Sequence, residues 1–204
     1  MRDVSISRHV VRCVDMRLVV SEFVTLDGVM EDPGGAEKSP AGGWAFRFER
    51  GPDGDKFKFD ELMAADALLL GRVTYTGFAA AWPNITDDQG FAAKMNSIRK
   101  YVLSSTLHTA DWTNSVILRG NLADEVRKLK AQPGGDILVA GSGQLVRGLA
   151  ENQLVDEYRL MVYPAILGGG KRLFPDGLPS AGFKIVEAQP TGGVLTMRLQ
   201  PLPA

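Results

Sequence analysis

Apolar residues along the chain follow two alternating rhythms. Residues 17–26 (RLVVSEFVTL), 67–70 (ALLL), 98–104 (IRKYVLS), 115–118 (SVIL) and 136–140 (DILVA) are short β-branched or aliphatic runs that read as strands. The wholly apolar ones are expected to be covered on both faces. Between them the spacing turns helical. Residues 55–66 carry Phe59, Leu62 and Met63 on one face, and a short helix starts at Arg72 and ends before Trp82-Pro83. Residues 122–130 (LADEVRKLK) place acids first and bases last, as a helix dipole favours, before Pro133-Gly134-Gly135 stops them. Gly141-Ser142-Gly143 then leads into another helix that runs through about Ala150. After residue 155 the character changes: 155–166 (VDEYRLMVYPAI) leads to Gly168-Gly169-Gly170, and 183–187 and 194–199 flank Thr191-Gly192-Gly193 as a hairpin. Strand–helix alternation followed by an antiparallel tail predicts an α/β fold: a mixed, mostly parallel sheet flanked by helices, with antiparallel C-terminal strands.

Residues 31–54 break both rhythms. They are rich in Gly, Pro and charge around Trp44, Phe46 and Phe48, a long loop expected to close over a ligand as a lid. The 204 residues suit one large domain over 16–204, with 1–15 an N-terminal extension given no function. With 23 basic and 24 acidic residues the net charge is -1, which provides no footprint for nucleic acid or an anionic membrane. Cys13 is the one cysteine and the two histidines, His9 and His108, are far apart, so no metal site is expected and a reducing cytoplasm is the simple setting. The expected partner is a small molecule or a second copy of the chain.

Three strand-to-turn junctions carry candidate chemistry. In an open α/β sheet, ligands bind beyond the C-terminal strand ends, where helix N-termini point free N–H groups outward. Gly141-Ser142-Gly143-Gln144-Leu145 follows one strand and enters a helix, so that backbone can approach a pyrophosphate closely; a tight turn needing left-handed glycines is the plainer reading. Gly71-Arg72-Val73-Thr74 repeats the design, with an arginine fork suited to phosphate and a threonine able to cap the helix. Ser104-Ser105-Thr106 ends a third strand with hydroxyls that could meet a ribose 2′-phosphate or form a polar turn.

The order of these junctions resembles the dihydrofolate reductase fold, and more closely the reductase domain of the bifunctional riboflavin-pathway deaminase–reductase and its stand-alone bacterial relatives. The matching pieces are Thr25-Leu26-Asp27-Gly28, Leu69-Leu70-Gly71-Arg72-Val73-Thr74-Tyr75, Val102-Leu103-Ser104-Ser105, Leu138-Val139-Ala140-Gly141-Ser142-Gly143 and Pro164-Ala165-Ile166-Leu167-Gly168-Gly169-Gly170 with Leu173-Phe174. The resemblance implies NADPH as cofactor. Gly71, Arg72, Val73 and Thr74 would hold the adenosine-side phosphates, and Ser104, Ser105 and Thr106 would lie near the 2′-phosphate. Gly141 to Leu145 would cradle the pyrophosphate, and Asp27, Gly28 and Val29 would lie near the nicotinamide. It also implies a homodimer.

By the same resemblance Asp55 matches the acid that orients and helps protonate a pterin; an N-terminal helix acid complementing the dipole is the alternative. Asp60 and Glu61 are rival candidates for that acid, and the plainer expectation is that they face solvent. Trp44 and Phe59 are the candidate substrate contacts. The function implied is a reductase transferring a hydride to a small heterocyclic or carbonyl substrate, pterin-like or aminopyrimidine-like. Against it stand a nucleotide-binding or regulatory protein that kept the fold without turnover and a structural oligomer.

Overall fold

The computed structural model describes residues 15–203. The extension expected at 1–15 lies outside the described residues except Asp15, which bridges to Pro133. Eight strands form one sheet: β1 (Arg17–Thr25), β2 (Ala65–Gly71), β3 (Arg99–Leu103), β4 (Ser115–Leu118), β5 (Asp136–Val139), β6 (Glu157–Tyr163), β7 (Phe183–Thr191) and β8 (Val194–Pro201), in the order β4-β3-β2-β5-β1-β6-β8-β7. All pairings from β4 to β6 are parallel, and β8 pairs antiparallel with both β6 and β7. The mostly parallel sheet with an antiparallel C-terminal end is the architecture the alternation predicts.

Five helices pack on it: α1 (Gly51–Ala64), α2 (Arg72–Ala81), α3 (Phe91–Ser97), α4 (Leu122–Lys130) and α5 (Gly143–Glu151). The alternation of β1 sorts them onto two faces. Leu18, Val20 and Val24 pack with Val126 and Leu129 of α4 and Leu145, Val146 and Leu149 of α5. Val19 points the other way, into a cluster with Leu62 of α1, Tyr75 of α2 and Met95 of α3. Side chains sealed this completely contribute about 1.5–3 kcal/mol each. The dipole-matched α4 forms as expected, capped by Asn121, whose side chain accepts the N–H groups of Ala123 and Asp124.

Three local expectations are corrected. Helix α1 starts at Gly51 rather than 55, because Pro52 falls in its first turn, where a fixed φ and a missing N–H are harmless. Helix α3 was not foreseen: its seven residues are too few to show a period, and its start is set by the Asp87 carboxylate, which accepts N–H groups from Gln89, Phe91 and Ala92. The 31–54 segment is tethered rather than free. Buried Asp32 accepts the N–H groups of Glu37 and Ser39 at 2.9 Å each, and its carbonyl accepts that of Gly43. Trp44, 0% exposed, donates its indole N–H to the Glu31 carbonyl and packs edge-on against Tyr163. Among the described residues, no helix is long and apolar enough to cross a membrane.

Candidate active site

Strands β3, β2 and β5 are neighbours, so the three junctions that follow them lie side by side at the C-terminal edge of the sheet. They enclose a groove of about 460 Å³, within the range of ligand pockets. Gly71, Arg72 and Val73 form one wall, Leu103 to Thr106 a second, and Ser142, Gln144 and Leu145 a third, with Leu118, Arg119, Gly120 and Leu122 closing the end. The helices α2 and α5 both begin at this groove, and neither start has a side-chain cap. Their first-turn N–H groups and positive dipole ends are thus left for a ligand or solvent.

Close backbone packing shapes the corners. Gly71 N–H donates to the Gly141 carbonyl at 3.4 Å, and a Cβ at Gly71 would run into the Ser142 hydroxyl. Gly141 has φ +79°, and a Cβ there would lie 2.6 Å from Thr74 Oγ1. The Gly141–Ser142 peptide bond is cis. Glycine is therefore required at both positions, for space at one and for space and conformation at the other.

Not every predicted residue reaches the groove. Thr74 and Gly141 pack against each other rather than lining it, and Gly143 packs against Met30. The Ser104 hydroxyl accepts the N–H groups of Thr106 and Leu107, so its lone pairs serve its own turn, while Ser105 and Thr106 are exposed. Asp27, Gly28 and Val29 line neither this groove nor the cavity described next. Asp27 accepts the Thr25 hydroxyl at 2.5 Å and the N–H groups of Leu167 and Gly168, and these bonds, the hydroxyl first, hold its carboxyl below the usual range. Gly28, at φ +78°, turns the chain, and Val29 is buried, bridged to Arg172.

A second cavity, about 520 Å³, opens beside the C-terminal halves of β1 and β6. Phe23, Phe46, Phe48 and Tyr163 give it aromatic walls, and Arg50, Gly51, Pro52 and Asp55 its polar edge. Phe46, 81% exposed, is the free aromatic of the tethered loop, whereas Trp44 lies sealed beneath it; its indole is packing, which overturns its expected contact with substrate. Phe59 also turns elsewhere, against Phe91 of α3. Asp55 does line the cavity, but its side chain is 62% exposed and pairs with Arg50 at 2.7 Å.

Sequence reasoning missed Arg119 and Glu22, and it expected the rival candidate Glu61 at the surface. Arg119 is anchored at the groove by donating to the carbonyls of Leu107 (2.7 Å) and Ser105 (3.4 Å). Glu61, expected at the surface, is buried: Ser21 donates to its Oε1 at 2.7 Å, Lys58 pairs with it, and its Oε2 has no partner. Asp60 is exposed and paired with Lys56, as a surface acid should be. Glu22 is buried in β1 and accepts the Gly141 N–H at 2.6 Å. A glutamate inside an apolar strand run was the available signal, since buried acids are rare without a partner.

Comparison with known proteins follows the same outline. A family model described as the RibD C-terminal domain matches residues 17–197. The chain is 31% identical to Uncharacterized protein YyaP of Bacillus subtilis (strain 168) over 176 residues, 85% of this chain and 88% of that one. The crystal structure of a "Putative riboflavin biosynthesis protein" from Shewanella sp. PV-4 superposes with a TM-score of 0.73 at 20% identity, covering 92% of this chain and all (100%) of that one. A dihydrofolate reductase from Enterococcus faecalis, complexed with NADP(H) and RAB-propyl, superposes at 0.53 and 14% identity, covering 92% and 97%. At these identities the two structures speak for the fold.

Proposed function

The chain belongs to the RibD C-terminal domain family, and from that premise we propose that it is a reductase that binds NADPH in the three-cornered groove and reduces a small planar substrate in the aromatic cavity. The observation that carries this reading is the convergence of two uncapped helix starts, two arginines and a run of hydroxyls on one groove. The groove fits a doubly phosphorylated nucleotide. First-turn N–H groups of α2 and α5 would bind the pyrophosphate, beside corners where glycine lets the turns after β2 and β5 pack closely. Arg72 and Arg119, with the hydroxyls of Ser105 and Thr106, would hold a 2′-phosphate by charge-assisted hydrogen bonds.

When bound, the cofactor supplies a hydride from its reduced nicotinamide ring. The chain does the rest. Phe23, Phe46 and Phe48 would give a flat heterocycle an aromatic setting with little water, over a floor that includes buried Tyr163. Pterins and aminopyrimidines fit that description. The test is NADPH consumption with a panel of pterins, aminopyrimidines, imines and carbonyls. Turnover on at least one is expected. Uptake of NADPH with turnover on none would instead assign a nucleotide-binding role without catalysis. Absence of uptake would remove both.

A further inference from the structure

The turn between β7 and β8 reaches the rim of the aromatic cavity. Thr191 pairs with Val194, so Gly192 and Gly193 make a two-residue hairpin turn, and Gly192 takes φ +60°, as the first position of such a turn favours. Turn geometry alone would explain that glycine, but the packing asks for more. A Cβ on Gly192 would stand 2.7 Å from the Arg50 carbonyl carbon, 2.8 Å from the Glu49 carbonyl oxygen and 2.8 Å from the Gly51 nitrogen. These are main-chain atoms and cannot swing aside. Gly193 donates its N–H to the same Glu49 carbonyl at 2.7 Å. From the other side, a Cβ on Gly51, at φ +67°, would lie 3.3 Å from the Gly192 Cα, and one on Gly54 would lie 3.1 Å from Thr191 Oγ1. Glycine therefore faces glycine, and two stretches of bare backbone touch.

The stretch that the turn touches, Glu49 to Gly51, is also a stretch of cavity wall. Arg50 is the cation among the side chains that line the cavity, with its Cζ 5.8 Å from the centre of the Phe23 ring and its guanidinium 2.7 Å from Asp55. Helix α1 starts at Gly51, so the seam also sets where that helix begins. Lys184 to Pro190 of β7 are exposed and Thr191 is buried, so the strand leaves solvent only as it reaches this seam.

We propose that the Gly192–Gly193 turn is a positioning element of the substrate cavity: seated on the main chain of Glu49 to Gly51, it fixes the stance of Arg50 against Phe23 and Asp55, and so the fit of a flat ring beside them. The inference rests on reading this cavity as the substrate site. Neither glycine lines the cavity or the groove, so the turn acts through Arg50 and not by touching a ligand. A backbone seat suits that task. A side-chain contact can be remade by another rotamer, whereas close-packed main chain passes a shift on directly.

The test uses pterin, a fluorescent flat heterocycle, and NADPH as probes of the two sites, with binding measured on folded protein. Gly192→Ala should weaken pterin about tenfold and leave NADPH within about twofold of wild type. Gly177→Ala is the control. Gly177 has φ +87° with nothing near enough for a Cβ to touch, and it lines neither site, so it repeats the backbone strain without the contact. It should leave both affinities unchanged. Arg50→Ala should itself weaken pterin, and adding Gly192→Ala to it should cost nothing more, because a residue acting through another does not add to its loss. Should Gly192→Ala fail to fold, Gly193→Ala takes its place. Its Cβ would meet the Glu49 oxygen at 3.2 Å, a smaller push that should weaken pterin about threefold with NADPH again unchanged. Unchanged pterin binding in the folded variant, equal losses of pterin and NADPH, a matching loss in Gly177→Ala, or additive losses with Arg50→Ala would overturn the positioning role and leave the substrate cavity standing. A wild type that binds NADPH but no pterin would remove the flat-ring reading of the cavity, and the role of the turn with it.

Discussion

The two ends of the sheet treat charge in opposite ways. At the N-terminal ends of β1, β5 and β6, Arg17, Asp136, Glu157 and Arg159 form a closed ionic network, with Arg17–Asp136 at 2.7 Å, Arg159–Asp136 at 2.9 Å and Arg159–Glu157 at 2.7 Å, completed by Arg198 of β8. Burial alone would raise the Glu157 carboxyl, but Arg198 and Arg159 overcome it and hold it below the usual range. Buried Lys100 of β3 is likewise satisfied by the carbonyls of Asn96, Ile98 and Thr113. At the C-terminal ends, two helix starts lack side-chain caps, and Arg72 and Ser105 are exposed. Buried polar groups are normally partnered inside the protein. The edge that leaves helix-start donors open is the one to which the proposed cofactor is assigned.

The contrast can be broken from either side. The largest effect of a substitution is expected at the closed end. Arg159→Met strips a buried partner from Asp136 and Glu157 and should cost about 3–5 kcal/mol in urea unfolding, with NADPH affinity of the folded fraction unchanged. A change in affinity as large as the loss of stability would mean the two ends are not independent. Next comes pH. Because folding raises the Glu22 pKa from 4.5 to about 8, the folded state binds the extra proton between those values. Glu22 therefore favours folding fully below about pH 4.5, and that contribution declines as pH rises through 8. Wild-type stability relative to Glu22→Gln should fall on the order of 4–5 kcal/mol across this window, read by thermal melts. A flat difference would show that Glu22 is not held neutral. At the open end, Gly141→Ala puts a Cβ against Thr74 in a left-handed backbone and should weaken NADPH about 10- to 100-fold, or about 1.4–2.8 kcal/mol. Unchanged binding would detach this corner from the cofactor.

The open end was largely legible in the sequence because each corner is a local event. Gly71-Arg72, Ser105-Thr106 and Ser142 to Gln144 each mark a strand ending and a turn or helix beginning, and glycine and hydroxyl positions announce that without knowledge of partners. Charge order and the Pro133-Gly134-Gly135 stop likewise marked α4. What local chemistry cannot show is pairing at long range. The fate of Trp44 depends on Tyr163, and that of Glu22 on Gly141, 119 positions away. Glu61 reads as a surface acid until Ser21 is known to lie across from it. The aromatic cavity draws on β1, the tethered loop, α1 and β6, so no single stretch of sequence describes it. Asp27 and Val29 flank the right strand, but the turn at 167–168 claims the carboxylate and the core claims the valine.

Calorimetric titration of NADPH and NADH onto the wild type and Arg72→Ala reaches the central claim most directly. The account predicts one site per chain and tighter binding of NADPH than NADH. Arg72→Ala should cost NADPH about tenfold, about 1.4 kcal/mol for a lost charge-assisted contact, and leave NADH nearly unchanged. No heat with either nucleotide, or an equal loss for both in the variant, would contradict a groove built to grip the 2′-phosphate.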